Sequence, residues 1–158
     1  MKGMEQAAQP EILDRREPNA NRPLVFLDTN VILAYLQGDP SAAQLFSVEE
    51  SGRIRFAVNP IVLQELLLAT DAADRPELER IRDHVRVLPL DITKSEALLP
   101  RARAVKNRLA HANDILILSS ADECDFLVTT DVLLKNLATS PKLRVVTPEE
   151  LVTQLRAA

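Results

Sequence analysis

Beyond residue 23 the chain alternates between short apolar runs and longer stretches that carry helix signals. The runs "LVFL" (24–27), "RFAV" (55–58), "VRVL" (85–88), "FLVT" (126–129) and "LRVV" (143–146) have strand length and are rich in Val, Leu and Phe. Near-continuous apolarity, rather than strict alternation, predicts strands covered on both faces and hence a parallel sheet. Between them the helix starts are legible. Asp39 with Pro40 and Asn59 with Pro60 each offer a capping side chain followed by proline at the first helical position. "DRPE", "TKSE" and "TPEE" place Asp74, Thr93 and Thr147 three residues before a glutamate, the spacing of a capping box. Pro100 either kinks the helix begun near Thr93 or opens a new one. The expected architecture is a series of βαβ units in one α/β sandwich.

Residues 1–22 break this pattern. They are polar, contain proline and lack an apolar signal-peptide core, so they are expected to form a loosely ordered tail before a single domain at 23–158. The longest apolar run, "IVLQELLLA", is far shorter than the roughly 20 residues that span a bilayer, which predicts a soluble, cytoplasmic protein with no membrane partner. With 158 residues, 46% of them hydrophobic and only 3% aromatic, the chain can bury one aliphatic core. A net charge of −4 advertises no polyanion binding, so any nucleic acid must be held by a local basic strip, by metal ions or by another protein. The lone Cys124 has no intrachain partner, as suits a reducing compartment.

Acidic residues fall where an open parallel sheet places its ligands, beyond the carboxyl ends of the strands. Asp28 follows "LVFL" and interrupts "VFLDTNVIL" together with Thr29 and Asn30; Asp131 follows "FLVTT". Asp114 lies in "HANDILILSSA", at the start of the helix leading into the fourth strand. Each has a plain alternative: Asp28 or Asn30, Asp131, and Asn113 or Asp114 could cap the helices that follow them. Glu65 is harder to explain away. It is the sixth residue of the helix capped by Asn59, beyond the reach of a capping box, and apolar residues surround it nearly all round the helix. Such a helix is expected to be buried, where an unpaired glutamate is costly; an arginine, partial exposure or a metal ion would relieve it.

Convergence of the four acids would itself demand a counter-charge. Two carboxylates about 4 Å apart repel by roughly 4 kcal/mol at an effective dielectric of 20, and several such pairs rival the stability of a whole domain. The cluster must take up protons or a cation, and an all-oxygen donor set favours Mg²⁺ or Mn²⁺ over Zn²⁺.

These motifs resemble those of PIN-domain ribonucleases, including the VapC-type toxins of bacterial toxin–antitoxin pairs. "VFLDTNVIL" looks like the family's opening strand and first acid, and "VLQELL" like its second acid. "ANDILILSSADECDFLVTTD" resembles the third acid, its helix, the fourth strand and the closing Thr-x-Asp, while "LRVVTPEELVTQL" is similar to the last strand and helix of one branch. The resemblance runs from about Leu24 to Leu155. It implies a PIN-like three-layer α/β/α sandwich with a mostly five-stranded parallel sheet. It also implies a catalytic metal site at Asp28, Glu65, Asp114 and Asp131, supported by Asn30 and Thr129. The activity so implied is metal-dependent endoribonuclease cleavage by an activated water, with Mg²⁺ or Mn²⁺ as cofactor, and the partners are an RNA substrate, an antitoxin protein and a second copy in a homodimer. The long polar leader and the loose "TTDVLLKNL" depart from a minimal toxin.

For substrate grip, "RARAVKNRLAH" carries Arg101, Arg103, Lys106, Arg108 and His111 with no acid among them, which suits a phosphate backbone or an ordinary solvated helix face. The competing function is a non-catalytic PIN-fold module that binds RNA or protein. A haloacid-dehalogenase-like phosphatase would want an acid where Asn30 stands, a receiver domain would want paired acids before its phosphorylated Asp, and with three glycines there is no Gly-rich phosphate loop.

Overall fold

The computed structural model describes residues 21–104, 112–138 and 140–157. Along these segments run β1 (Leu24–Leu27), α1 (Thr29–Leu36), α2 (Pro40–Glu50), β2 (Arg55–Val58), α3 (Pro60–Ala69), α4 (Arg75–His84) and β3 (Arg86–Val87). They continue with α5 (Ile92–Ala104), α6 (Ala112–Ala121), β4 (Phe126–Val128), α7 (Val132–Leu137), β5 (Arg144–Val146) and α8 (Pro148–Ala157). The five strands form one all-parallel sheet in the order β3-β2-β1-β4-β5, as the apolar runs predict.

Helices flank the sheet: α1 packs with α2 and α3, α5 with α6 and α7, and α8 lies against α2. The core is aliphatic, with Val25, Phe26, Leu27, Leu127 and Val128 of the central strands fully enclosed. Chain order runs outward from β1 on one side through β2 and β3, then resumes on the other side at β4. A crevice therefore opens where the direction reverses, between the carboxyl ends of β1 and β4.

Local signals behave unevenly. Asp39 and Asn59 cap α2 and α3 through side-chain bonds from Ala42 and Val62 amides, each with proline next in line. Gly38, at φ +83°, makes the left-handed turn that delivers Asp39 to its capping position. Thr147 and Glu150 form the reciprocal capping box of α8. Two expected boxes are absent. Asp74 has helical backbone geometry and makes no capping bond, and α5 is capped by Asp91, whose Oδ1 accepts the Lys94 amide proton, so Thr93 lies inside the helix. An earlier polar residue displaced the one the spacing favours. Helix α5 also continues through Pro100.

Two burial expectations are corrected as well. The third apolar run yields only a two-residue edge strand, both residues exposed, because β3 has a neighbour on one side alone. Helix α3 is not enclosed all round: Val62 and Leu66 are buried, but Leu67 and Leu68 are 49% and 81% exposed. Its strongest packing is against α1 and α6, which leaves its outer face uncovered in the single chain. Cys124 is fully buried, and burial foremost, with Asp125 and Glu123 beside it, pushes its thiol up to about 12. The Asp125 carboxylate accepts the Leu24 amide proton at 2.8 Å and anchors the start of β1.

Candidate functional site

Asp28 stands at the carboxyl end of β1, on the lip of the crevice, only 5% exposed. Its amide donates to the Val128 carbonyl at 3.0 Å, which holds it beside the end of β4. One carboxylate oxygen accepts the Thr29 amide proton at 2.8 Å and so caps α1; the other accepts the Thr129 hydroxyl proton at 2.6 Å. Thr129, itself buried, also receives the Asp131 amide proton at 3.0 Å. Asp131 in turn caps α7 by accepting from the Leu133 amide at 2.9 Å. The capping alternatives are therefore real for Asp28 and Asp131. They do not exclude the metal-binding one, because a carboxylate offers about four lone-pair sites and a cap occupies one.

Electrostatics join the four acids. Burial raises the Asp28 carboxyl above its ordinary value, the hydrogen bonds from Thr129 and Thr29 work the other way, and the charges of Asp114 and Asp131 push it up further. Burial likewise raises Glu65, followed by the charges of Asp28 and Asp114. Asp114 sits half-buried in the first turn of α6, as its sequence position predicts. The four acids predicted from scattered motifs thus share one electrostatic neighbourhood, with Asp28 at its centre.

Glu65 Oε1 is buried and has no hydrogen-bond partner, and neither has the buried Thr29 Oγ1. The Thr29 hydroxyl is near enough to ease the Glu65 charge slightly, yet it stops short of a hydrogen bond. Among the described residues no cation forms a salt bridge with Glu65. An unpaired buried carboxylate oxygen in an all-oxygen acidic pocket fits a hard divalent ion. Among the described residues, however, no three or more His, Cys, Asp or Glu side chains stand as a ready-made group for holding a metal.

The other predicted residues are less committed. Asn30 is exposed in the first turn of α1. Arg101 turns its guanidinium to the Asn136 carbonyl at 3.1 and 2.6 Å, at the end of α7, and Arg103 is exposed. Lys106, Arg108 and His111 lie outside the described residues, as do residues 1–20 of the polar leader. Two contributors escaped sequence reasoning: Thr29, overlooked between Asp28 and Asn30, and the amide nitrogen of Asn59, hidden behind that residue's capping role.

A family model described as the PIN domain matches residues 25–139. No curated protein sequence matches the chain. Among solved structures, the chain is similar to one in VapBC2 from Rickettsia felis bound to a DNA fragment from their promoter, at 18% identity and a TM-score of 0.63, covering 77% of this chain and 98% of that one. It is similar to a chain of VapBC-1 from nontypeable Haemophilus influenzae, at 18% identity and a TM-score of 0.60, covering 77% and 97%. A chain of a toxin–antitoxin complex from Klebsiella pneumoniae matches at 22% identity and a TM-score of 0.55, covering 78% and 97%. At these identities the likeness establishes the fold. No described helix is long and apolar enough to cross a membrane.

Proposed function

The chain belongs to the PIN-domain family, and from that premise we propose that it is a divalent-metal-dependent endoribonuclease whose site is Asp28, Glu65, Asp114 and Asp131. The observation that carries the reading is Glu65 Oε1, buried without a partner and set against Asp28 and Asp114. Ionised, a half-buried carboxylate with one enclosed, unpaired oxygen destabilises the fold unless it takes up a proton or a cation joins it.

Mg²⁺ or Mn²⁺, when bound, supplies charge neutralisation at a phosphate and lowers the pKa of a water. The chain's own residues do the rest. Asp28 and Asp131 are held rigidly by their helix caps and by the Thr129 hydroxyl that touches both, so their free lone pairs keep a fixed aim. Glu65 and Asp114 bring charge from two other helices. Asn30, exposed in the first turn of α1 two residues from Asp28, would support the site from there. Arg103, with Lys106 and Arg108, would attract the RNA backbone; Arg101 is already engaged with Asn136.

The similar solved structures include a toxin–antitoxin complex, which supports an antitoxin as partner and a toxin role for this chain. A homodimer is part of the same reading. The test incubates purified full-length protein with mixed RNAs, with and without Mn²⁺ or Mg²⁺, beside Asp28→Asn. Expected are metal-dependent cleavage to 5′-phosphate and 3′-hydroxyl ends and loss of activity in the variant. Cleavage that persists in EDTA, or products ending in 2′,3′-cyclic phosphate, would overturn the mechanism; RNA binding without cleavage would favour the non-catalytic module.

A further inference from the structure

Asn59 is completely buried at the carboxyl end of β2. Its Oδ1 accepts the Val62 amide proton at 3.0 Å and caps α3. For that job Asp, Ser or Asn would serve about equally. The amide nitrogen does something a cap does not require: it donates to the Leu116 carbonyl and to Ser120 Oγ, both at 3.1 Å and both on α6. The orientation of the amide is dictated by its surroundings, because the oxygen faces a donor and the nitrogen faces a carbonyl. Ser120 then donates to the Pro89 carbonyl at 2.9 Å, tying α6 to the segment after β3.

This network joins the start of the helix that carries Glu65 to the middle of the helix that carries Asp114. Leu116 lies two residues beyond Asp114, and Glu65 lies on the second turn of the helix whose first turn Asn59 closes. Side chains on different helices keep a fixed separation only if the helices do, and a buried, fully engaged amide resists sliding far better than aliphatic contacts alone. We infer that Asn59 is a positioning residue that sets the separation of Glu65 and Asp114, and through it the affinity of the pocket for a divalent ion. The inference rests on the metal-dependent reading above.

The test titrates Mn²⁺ calorimetrically into the full-length protein at a temperature well below its melting point. Asn59→Ser keeps the cap but is too short to bridge to α6, and Ser120→Ala removes one tie from the other side. Expected is a Kd for Mn²⁺ raised about 10-fold in Asn59→Ser, as for other supports of metal ligands, with a smaller rise in Ser120→Ala. Lost stability alone would leave these values unmoved, because a protein far below its melting point remains folded. A folded Asn59→Ser that binds Mn²⁺ as tightly as the wild type overturns the inference; if that variant does not fold, unchanged affinity in Ser120→Ala overturns it. Wild-type protein that binds no Mn²⁺, or binds it equally after Asp28→Asn, sinks the proposed function along with the inference. Binding abolished by Asp28→Asn but indifferent to Asn59 and Ser120 sinks the inference alone.

Discussion

Thr129 gives its hydroxyl proton to Asp28 and takes the amide proton of Asp131, so one buried oxygen serves two of the four acids. Thr129→Val removes both bonds while keeping the shape, leaving a buried carboxylate and an amide each short of a partner. Chemical denaturation should show a loss of about 1–3 kcal/mol, with Thr129→Ser recovering most of it. The same substitution withdraws an influence that holds the Asp28 carboxyl down, so its pKa should climb further. Capping, which competes with metal binding as an explanation for Asp28 and Asp131, is real for both and still leaves lone pairs on each carboxylate.

Among the elements, the helices beginning at Pro40, Pro60 and Pro148 were legible because cap, proline and apolar face agree locally. Helix α5 shows where such reading fails. Its Thr93–Glu96 pair has the right spacing, but Asp91 two residues earlier captures the Lys94 amide, and nothing in the spacing ranks the two. Asp91→Ala should therefore cost about 1 kcal/mol in urea denaturation. Thr93→Ala should stay within about 0.5 kcal/mol of the wild type. The exposed leucines of α3 have a different origin. Composition says how apolar a helix is, whereas the number of neighbours on each side depends on which elements the sheet order brings near.

The whole molecule carries a pH signature. Asp28 and Glu65 have folded-state pKa values raised above their ordinary 3.8 and 4.5, so folding favours their protonated forms. Their contribution to stability is fully present below those ordinary values and is lost as pH rises through the raised ones. Without metal, Glu65→Gln should melt no lower than the wild type, and the difference in its favour should grow as pH rises above 4.5, the ordinary value of the carboxyl. Adding Mn²⁺ should reverse the order, because an ion bound by the ionised acids stabilises only the protein that still has them. Melting curves at several pH values, with and without Mn²⁺, check both halves. A wild type that gains stability over the variant as pH rises in EDTA would contradict the assignment of Glu65.

Read by itself, the chain determined its strands, most of its helix starts, the absence of a disulfide partner for Cys124 and the candidacy of four acids. The strands, the helix starts and the candidacy of Glu65 follow from short-range physics: side-chain periodicity, cap chemistry and the cost of a carboxylate among leucines. Asp28, Asp114 and Asp131 stand out by their places at strand and helix ends and by the resemblance to PIN-domain motifs. Only the tertiary structure decided that residues as distant as Asp28, Glu65, Asp114 and Asp131 influence one another, that Asp91 outcompetes Thr93, and that the amide of Asn59 bridges two helices. Such relations depend on the separation and direction of groups far apart in the chain. Those are settled when the sheet reverses its order between β1 and β4 and the helices pack around it.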